Sequence, residues 1–161
     1  MQTGGGGRKY VLKGHQDVVT SVSTGEDTPW VVTSGMDGLI KVWDANNGSC
    51  KHSQPCFRQG ASCVSLPQPL ELAAVGSAIG DIEVVDMSAG GGEVQKFDGP
   101  EGEVVALEFA GDGRLLMHAH IDGSIGLRDL RGGKNSTVVI DANSNNKVSA
   151  LSKGLKTLGR M

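Results

Sequence analysis

The chain has no long hydrophobic run and no strong excess of charge of either sign. No apolar stretch in its 161 residues approaches the ~20 that a membrane-spanning helix needs, and the glycine-rich start lacks the apolar region of a secretion signal. The net charge is −3, and the basic residues near the C-terminus form only a modest cluster, Lys153, Lys156 and Arg160. The sequence therefore predicts a cytoplasmic or nuclear protein without membrane contact, and it disfavours nucleic acid as the main ligand.

Cysteine is scarce, and its spacing is not that of a metal site. Four candidate ligands lie close together in the sequence: Cys50, His52, Cys56 and Cys63. They fit none of the paired short spacings of structural zinc, so reduced thiols are expected, with Cys63 filling an apolar strand position. His118 and His120 would share one face of a strand, where packed histidines are favoured over a ligand pair. No metal is predicted.

A phosphate-binding loop is also missing. The glycines at 4–7 are followed by Arg8 and Lys9 with no Ser or Thr after the lysine. The run 132–135 has Arg128 where the leading glycine of such a loop should stand. A flexible tail and a turn are the better interpretations, and no cofactor is predicted.

What the chain does contain is a repeat. A pair of apolar residues three apart recurs at intervals of 44, 41 and 44 residues, at Val19/Val22, Cys63/Leu66, Val104/Leu107 and Val148/Leu151. A second anchor, the aspartate that closes each unit, recurs at intervals of 42 and 43 residues, at Asp44, Asp86 and Asp129. Because two independent anchors agree over three units, the chain is predicted to be built of repeats.

Each unit alternates short apolar runs, rich in β-branched residues, with Gly, Asp or Asn. In the first unit these runs cover 18–22, 30–33 and 39–43. Asp37-Gly38 and Asp122-Gly123 favour tight hairpin turns, because both residue types tolerate positive φ. Four antiparallel strands per unit are predicted. One such sheet cannot bury both faces alone, so neighbouring sheets must stack around an axis.

The first unit has a recognisable order of motifs: Gly14-His15, then Asp37-Gly38, then Trp43-Asp44. This order resembles one WD repeat, and the third unit is similar in outline. The second unit is degenerate, and its assignment as a repeat depends mainly on the period. The resemblance implies an all-β fold, a partial β-propeller of about three four-stranded antiparallel blades plus one strand at each end. Such a chain would be a fragment or open arc of a seven-bladed ring.

The predicted organisation has a flexible, glycine-rich N-terminus over 1–9 and three blades over 10–147. Segment 148–161 either starts a fourth repeat or forms a basic amphipathic tail. Residues 10–12 look like the outer strand before a Gly-His start, and 148–152 match the first strand of a further unit. Three blades cannot close a ring, so we expect a piece of a longer propeller. Completion by another chain, self-association and a stable open arc are the alternatives.

The resemblance also gives the polar residues of the first unit a structural role. It implies that His15, Thr33, Asp37 and Trp43 form a hydrogen-bonded chain, which leaves none of them available for catalysis. The corresponding positions are Gln59, Val75, Ile79 and Val85 in the second unit, and Pro100, His118, Asp122 and Arg128 in the third. Only one of these matches, so the first blade should be the best ordered and the second should depend on apolar packing.

By the same resemblance, the predicted function is that of a non-enzymatic platform or scaffold subunit with a protein or peptide partner. The residue before each turn aspartate is expected on the face where loops converge. Met36 and Ile121 are large apolar residues at such positions. With Gln16 and Asp17 at the rim, they are the candidate partner-binding residues; packing on adjacent loops is the alternative.

Two more specific roles are alternatives. Asp129 and Arg131 are similar to the Trp-Asp-x-Arg ending of substrate receptors of cullin-RING ubiquitin ligases, with Arg128 in place of the tryptophan. This implies a substrate receptor or adaptor. The third unit is also similar to the propeller of the pre-mRNA-splicing ubiquitin ligase family, which implies a structural subunit of an RNA-processing or other large assembly.

Overall fold

The computed structural model describes residues 10–25, 28–67, 72–87, 92–99, 101–110, 113–131 and 137–141. The first sheet contains β1 (Val19–Thr24), β2 (Trp30–Gly35), β3 (Leu39–Asp44) and β4 (Ser49–Pro55). The second contains β5 (Ala61–Ser65), β6 (Leu72–Ser77), β7 (Ile82–Asp86) and β8 (Glu93–Phe97). The third contains β9 (Val104–Ala110), β10 (Leu115–His120), β11 (Ser124–Asp129) and β12 (Thr137–Asp141). These residues form no helix, and so none that could cross a lipid bilayer.

Within each sheet the strands pair antiparallel in chain order. The β2–β3 turn uses Asp37-Gly38 as the sequence predicts. Gly38 has a φ of 73°, a conformation that costs glycine little and other residues much. A side chain there would also clash with the backbone carbonyl of Phe57 at the entry of the second sheet.

The sheets stack side by side through their first strands, with β1 beside β5 and β5 beside β9. A repeated hydrogen bond joins them. Thr20 Oγ1 donates to the Ala61 carbonyl over 2.6 Å, and one repeat later Ser62 Oγ donates to the Val104 carbonyl over 2.6 Å. The repeat therefore specifies the bond between neighbouring sheets as well as the strands within each.

Two apolar cores fill the spaces between the sheets. The first core, between the first and second sheets, contains Val32, Ile40, Phe57, Ala61, Val64, Ala73, Val75 and Val85. The second core, between the second and third sheets, contains Cys63, Ala74, Ile82, Val84, Phe97, Val104, Leu107 and Leu116. The second sheet thus buries both faces, which accounts for its nearly continuous apolar strands.

The all-β fold of three four-stranded antiparallel blades is confirmed. One detail differs, because residues 10–12 form no strand. A strand needs a neighbour for its backbone hydrogen bonds, and the described residues place none beside this segment; Tyr10 instead lies against Gly48 in the β3–β4 turn. The predicted tail over 1–9 and segment 148–161 lie outside the described residues.

Candidate functional site

A chain of hydrogen bonds joins the segment before β1 to β2 and β3. The Trp43 indole N–H donates to Thr33 Oγ1 over 2.9 Å, and Thr33 Oγ1 lies 2.7 Å from His15 Nε2. His15 Nδ1 lies 3.0 and 2.9 Å from the two carboxylate oxygens of Asp37. The structure thus brings together the four residues that the WD resemblance linked.

The donors and acceptors define one tautomer of His15. Thr33 Oγ1 accepts from the indole, so its own proton points to His15 Nε2, and the Nδ1–H then donates to Asp37. Asp37 also accepts from the backbone N–H of Gln16 (2.9 Å) and of Leu39 (3.2 Å). Burial alone would raise the pKa of Asp37, but the bonds from these two amides and from His15 outweigh it and hold the pKa below 3.8.

The order carboxylate, imidazole, hydroxyl is also that of a nucleophilic triad. Here Thr33 is only 7% exposed, and its oxygen already accepts the indole N–H of Trp43. A nucleophile needs an oxygen that a substrate can reach. This arrangement suits a structural tie between the β2–β3 turn and the segment before β1.

The second sheet stabilises its corresponding turn with a different hydrogen-bond acceptor. Ser77 Oγ accepts from the backbone N–H of Ile79 (3.3 Å) and of Asp81 (2.9 Å), so a hydroxyl serves where the first sheet uses a carboxylate. Val75 and Val85, at the positions of the threonine and tryptophan, are buried in the first core. Apolar packing replaces the polar chain, as the sequence predicts for this unit.

The third sheet carries two buried histidines on β10. His118 Nδ1 lies 2.9 Å from His120 Nε2, and His120 Nδ1 lies 3.4 Å from the Gly102 carbonyl oxygen. The tautomers that satisfy most groups have His118 donating to His120 and His120 donating to Gly102. His118 Nε2 is then an unprotonated nitrogen, buried without a hydrogen-bond partner.

Protonation of His118 would place a second N–H in this unpartnered position. Burial, and then the nearby His120 and Arg128, lower the pKa of His118 to about 4. Burial also lowers the pKa of His120. The sequence predicts packed histidines on one face of a strand, but it did not predict the hydrogen bond between them. The signal for this bond is the spacing of two residues on one strand.

Two residues of β11, Gly126 and Arg128, lie near the histidine pair. Gly126 of β11 faces the His118 ring so closely that any Cβ would clash. The Arg128 guanidinium, at the position of the missing tryptophan, lies 4.0 Å from the centre of the Phe97 ring on β8. A cation over an aromatic face thus joins the third sheet to the second.

Three loops lie at one end of the sheets, and we call this the loop end. In each, a backbone N–H donates to the carbonyl just before the first strand of the same sheet, Met36 to Val18, Ala78 to Gly60 and Ile121 to Glu103. Each of the three loops carries an exposed large apolar residue, with exposed fractions of 40% for Met36, 48% for Ile79 and 39% for Ile121.

Both candidate anchors of the loop end are half packed. Met36 Sδ lies against Gly60 and Ile121 Cγ2 against Gly102, while 40% of Met36 and 39% of Ile121 stay exposed. Gln16 and Asp17 beside them are exposed. Ile79 was not among the predicted anchors; the signal for it is an isoleucine at the position where a turn aspartate would stand.

The Asp129 carboxylate is engaged within its own sheet. Arg114 Nε and Nη2 donate to Asp129 Oδ2 over 3.0 and 2.6 Å, and the Arg131 backbone N–H donates to Oδ1 over 2.9 Å. The Arg114 bonds, followed by the Arg131 amide, hold the pKa of Asp129 below 3.8. Asp129 therefore closes the turn after β11.

The cysteines are thiols with no shared ligand geometry. Cys50 is exposed, Cys56 partly buried and Cys63 buried. Burial raises the pKa of Cys63 to about 12 and that of Cys56 to about 11. Within the described ranges, no three His, Cys, Asp or Glu side chains are grouped as metal ligands would be.

Known sequences resemble this chain over parts of its length. Residues 6–44 match the family model described as "WD domain, G-beta repeat". The target of rapamycin complex subunit LST8 of Saccharomyces cerevisiae is 48% identical over 48 residues, 27% of this chain and 16% of that protein. Pre-mRNA-processing factor 19 homolog 2 of Arabidopsis thaliana is 27% identical over 138 residues, 84% of this chain and 26% of that protein. The chain thus spans about a quarter or less of these relatives.

The three sheets also superpose on a solved propeller. The RRP9 WD40 repeats match with a TM-score of 0.78 and 20% identity, over 88% of this chain and 43% of that chain. At this identity the likeness shows the fold alone.

Proposed function

We propose that this chain, which matches a WD-repeat model over residues 6–44 and has the fold of an unclosed β-propeller, acts as a non-enzymatic platform that binds a protein or peptide partner through the loop end. The observation that carries the proposal is the exposure of Met36, Ile79 and Ile121 on three successive loops that share one backbone hydrogen bond. Large apolar side chains in solvent-facing turns are costly unless a partner covers them, and apolar anchors in a polar rim are typical of binding hot spots.

The polar chain of the first sheet supports this role by holding the loop end rigid. Asp37 sits in the same turn as Met36 and is fixed by the side chain of His15 and by two backbone amides. A rigid anchor loses little conformational entropy when a partner binds, so more of the contact energy appears as affinity.

A non-enzymatic role is part of the proposal. The buried and occupied hydroxyl of Thr33 and the raised pKa values of Cys56 and Cys63 argue against a nucleophile at any of these residues. The names of the relatives place them in different assemblies, a target of rapamycin complex and pre-mRNA processing. They support a scaffold role and no particular pathway.

The ligase-adaptor alternative receives no support from the geometry, because the carboxylate of Asp129 already pairs with Arg114. The RNA-processing alternative is supported by the name of one relative, which is 27% identical. Both would use the same platform, so the loop end is the feature to test.

The test compares the tagged wild-type chain with a Met36→Ser/Ile121→Ser variant in affinity purification with quantitative mass spectrometry. At least one protein should be retained by the wild type and be depleted about 10-fold or more by the double substitution, since hot-spot anchors contribute on that order. Circular dichroism must show that the variant stays folded.

Val94→Ser is the control, because Val94 is 53% exposed on β8, away from the loop end. It should retain the partner at the wild-type level. A double variant that retains every wild-type partner would refute the loop end as the binding surface.

A further inference from the structure

A cavity of about 420 Å³ opens between the first and second sheets. Its apolar lining includes Trp30, Val42, Leu66 and Met87, and its polar lining is Lys51 and His52. Trp30 begins β2 and Leu66 follows β5, so the cavity lies at the end of the strands opposite the loop end. We call it the lateral groove.

The lateral groove continues the first core toward solvent. Val42, Leu66 and Met87 pack, partly buried, against that core. The two sheets meet through their inner strands and diverge toward the outer strand β4, as blades do when they radiate from an axis. Apolar surface therefore stays uncovered near β4, in a cavity within the usual size range of ligand sites.

A β-bulge builds the polar side of the groove. His52 pairs with Val42 and Cys50 pairs with Trp43, so Lys51 is the extra residue of β4. Neighbouring residues of a regular strand point to opposite faces, yet Lys51 and His52 both line the groove. The bulge explains this, because it re-aims a side chain.

Among the described lining residues of the groove, Lys51 supplies an ammonium group. The Lys51 side chain is 46% exposed, and its ammonium lies 3.7 Å from Asp44 Oδ2. An ammonium has three N–H donors, so this one contact leaves donors for an incoming acceptor. Among the described residues no carboxylate lines the groove. An apolar interior beside a lysine complements a ligand that joins an apolar group to a carboxylate.

The edge of β4 indicates how such a ligand would be held. The bulge at Lys51 and the proline at Pro55 interrupt the row of backbone donors that an added strand would need. Recognition by side chains is favoured over strand addition. We propose that the lateral groove binds a peptide segment of a partner protein, which inserts a large apolar side chain beside Trp30 and Met87 and presents a carboxylate to Lys51.

The groove proposal rests on the proposed function only in its choice of a protein partner, and it uses no residue of the loop end.

The test pans a random heptapeptide phage library on the immobilised 161-residue chain, and the enriched sequences are then made as free peptides. Titration of tryptophan fluorescence reports binding, because Trp30 lines the groove whereas Trp43 is 1% exposed. The enriched peptides should join a large apolar residue to Asp or Glu.

Calorimetry then compares variants. Lys51→Glu should weaken peptide binding by about 5-fold or more through charge reversal. The matched control is Lys13→Glu, an exposed lysine outside the groove, and it should stay within about 2-fold of wild type. Trp30→Ser should remove peptide binding. If that variant does not fold, the affinity of Lys51→Glu for the peptide is the test of the proposal.

The Met36→Ser/Ile121→Ser variant should bind the peptide as the wild type does, so failure at the loop end and failure at the groove are separate results. No enrichment, an enriched consensus without an acidic residue, or equal affinity for wild type and Lys51→Glu would each overturn the proposal. Loss of binding on Lys51→Glu with the Lys13→Glu control intact would establish it.

Discussion

At the scale of single residues, each sheet closes its β-turn at the loop end with an aspartate or a serine side chain. Asp37 accepts the Leu39 amide, Ser77 accepts the amides of Ile79 and Asp81, and Asp122 accepts the Ser124 amide over 2.8 Å. The common requirement is an oxygen that accepts from the turn backbone. Residues as different as aspartate and serine meet it because both side chains are short.

Acid sensitivity follows from His118. Its pKa is lowered to about 4 in the folded protein, whereas the unfolded chain has the ordinary value near 6.5. Between these pH values His118 is protonated in the unfolded chain but not in the folded protein. The free energy of unfolding is therefore highest above pH 6.5 and decreases as the pH falls toward 4. The free energy of unfolding, measured in urea, should be lower by about 2–3 kcal/mol at pH 4.5 than at pH 7.

Two glutamine variants test this assignment. His118→Gln should lose the part of the pH dependence that His118 contributes, because glutamine does not titrate. Val94→Gln introduces a glutamine at an exposed position of β8 and should keep the wild-type dependence. Equal pH dependence of His118→Gln and wild type would contradict the role of His118.

At the scale of elements, the polar chain of the first sheet fixes the segment before β1 against β2 and β3. Its members come from the segment before β1, from β2, from the β2–β3 turn and from β3, and each donor has an acceptor. A buried polar chain stabilises only when it is complete. The second and third sheets achieve the same junction with apolar packing and with a histidine pair.

Removal of the central oxygen should destabilise the first sheet. Thr33→Val leaves the Trp43 indole N–H and His15 Nε2 without their partner in a buried position. We expect the free energy of unfolding to fall by about 1–3 kcal/mol, measured by urea titration with tryptophan fluorescence. Thr24→Val on the exposed part of β1 is the control and should change stability little. An unchanged midpoint for Thr33→Val would show that the polar chain contributes nothing.

At the scale of the whole molecule, the described residues place no neighbouring sheet on one face of the first sheet. Val22 pairs with Thr33, the neighbour of the core residue Val32, so Val22 points away from the second sheet. Val19 and Val22 are 51% and 62% exposed. The corresponding faces of the second and third sheets are each covered by a neighbouring sheet. We therefore expect the exposed face of the first sheet to bind another apolar surface.

The isolated chain should therefore self-associate. Light scattering at tens of micromolar should give a mass above the 16.7 kDa of one chain. Val19→Lys/Val22→Lys should shift the mass toward the monomer by placing charge on the uncovered face. Val94→Lys, at an exposed valine of β8, should leave the wild-type mass unchanged. A monomeric wild type would argue that this face needs no cover.

The sequence by itself determined the repeat, the number of strands and the all-β class, because the period and the turn residues act locally and recur. Asp37-Gly38 predicts a hairpin whatever surrounds it. The WD resemblance also linked the four residues of the first polar chain. Residues 10–12 were expected to be a strand, and the missing strand neighbour shows that a β-strand is defined by its partner and not by its own composition.

Only the tertiary structure decided what depends on the distance between sheets. The Arg128 contact with Phe97 and the lateral groove arise where side chains from separate sheets meet, and the His118 to His120 bond depends on how these two side chains of β10 are packed against their neighbours. Lys51 lines that groove only because a bulge in β4 turns it there. Such features depend on packing and register, which local sequence patterns do not encode.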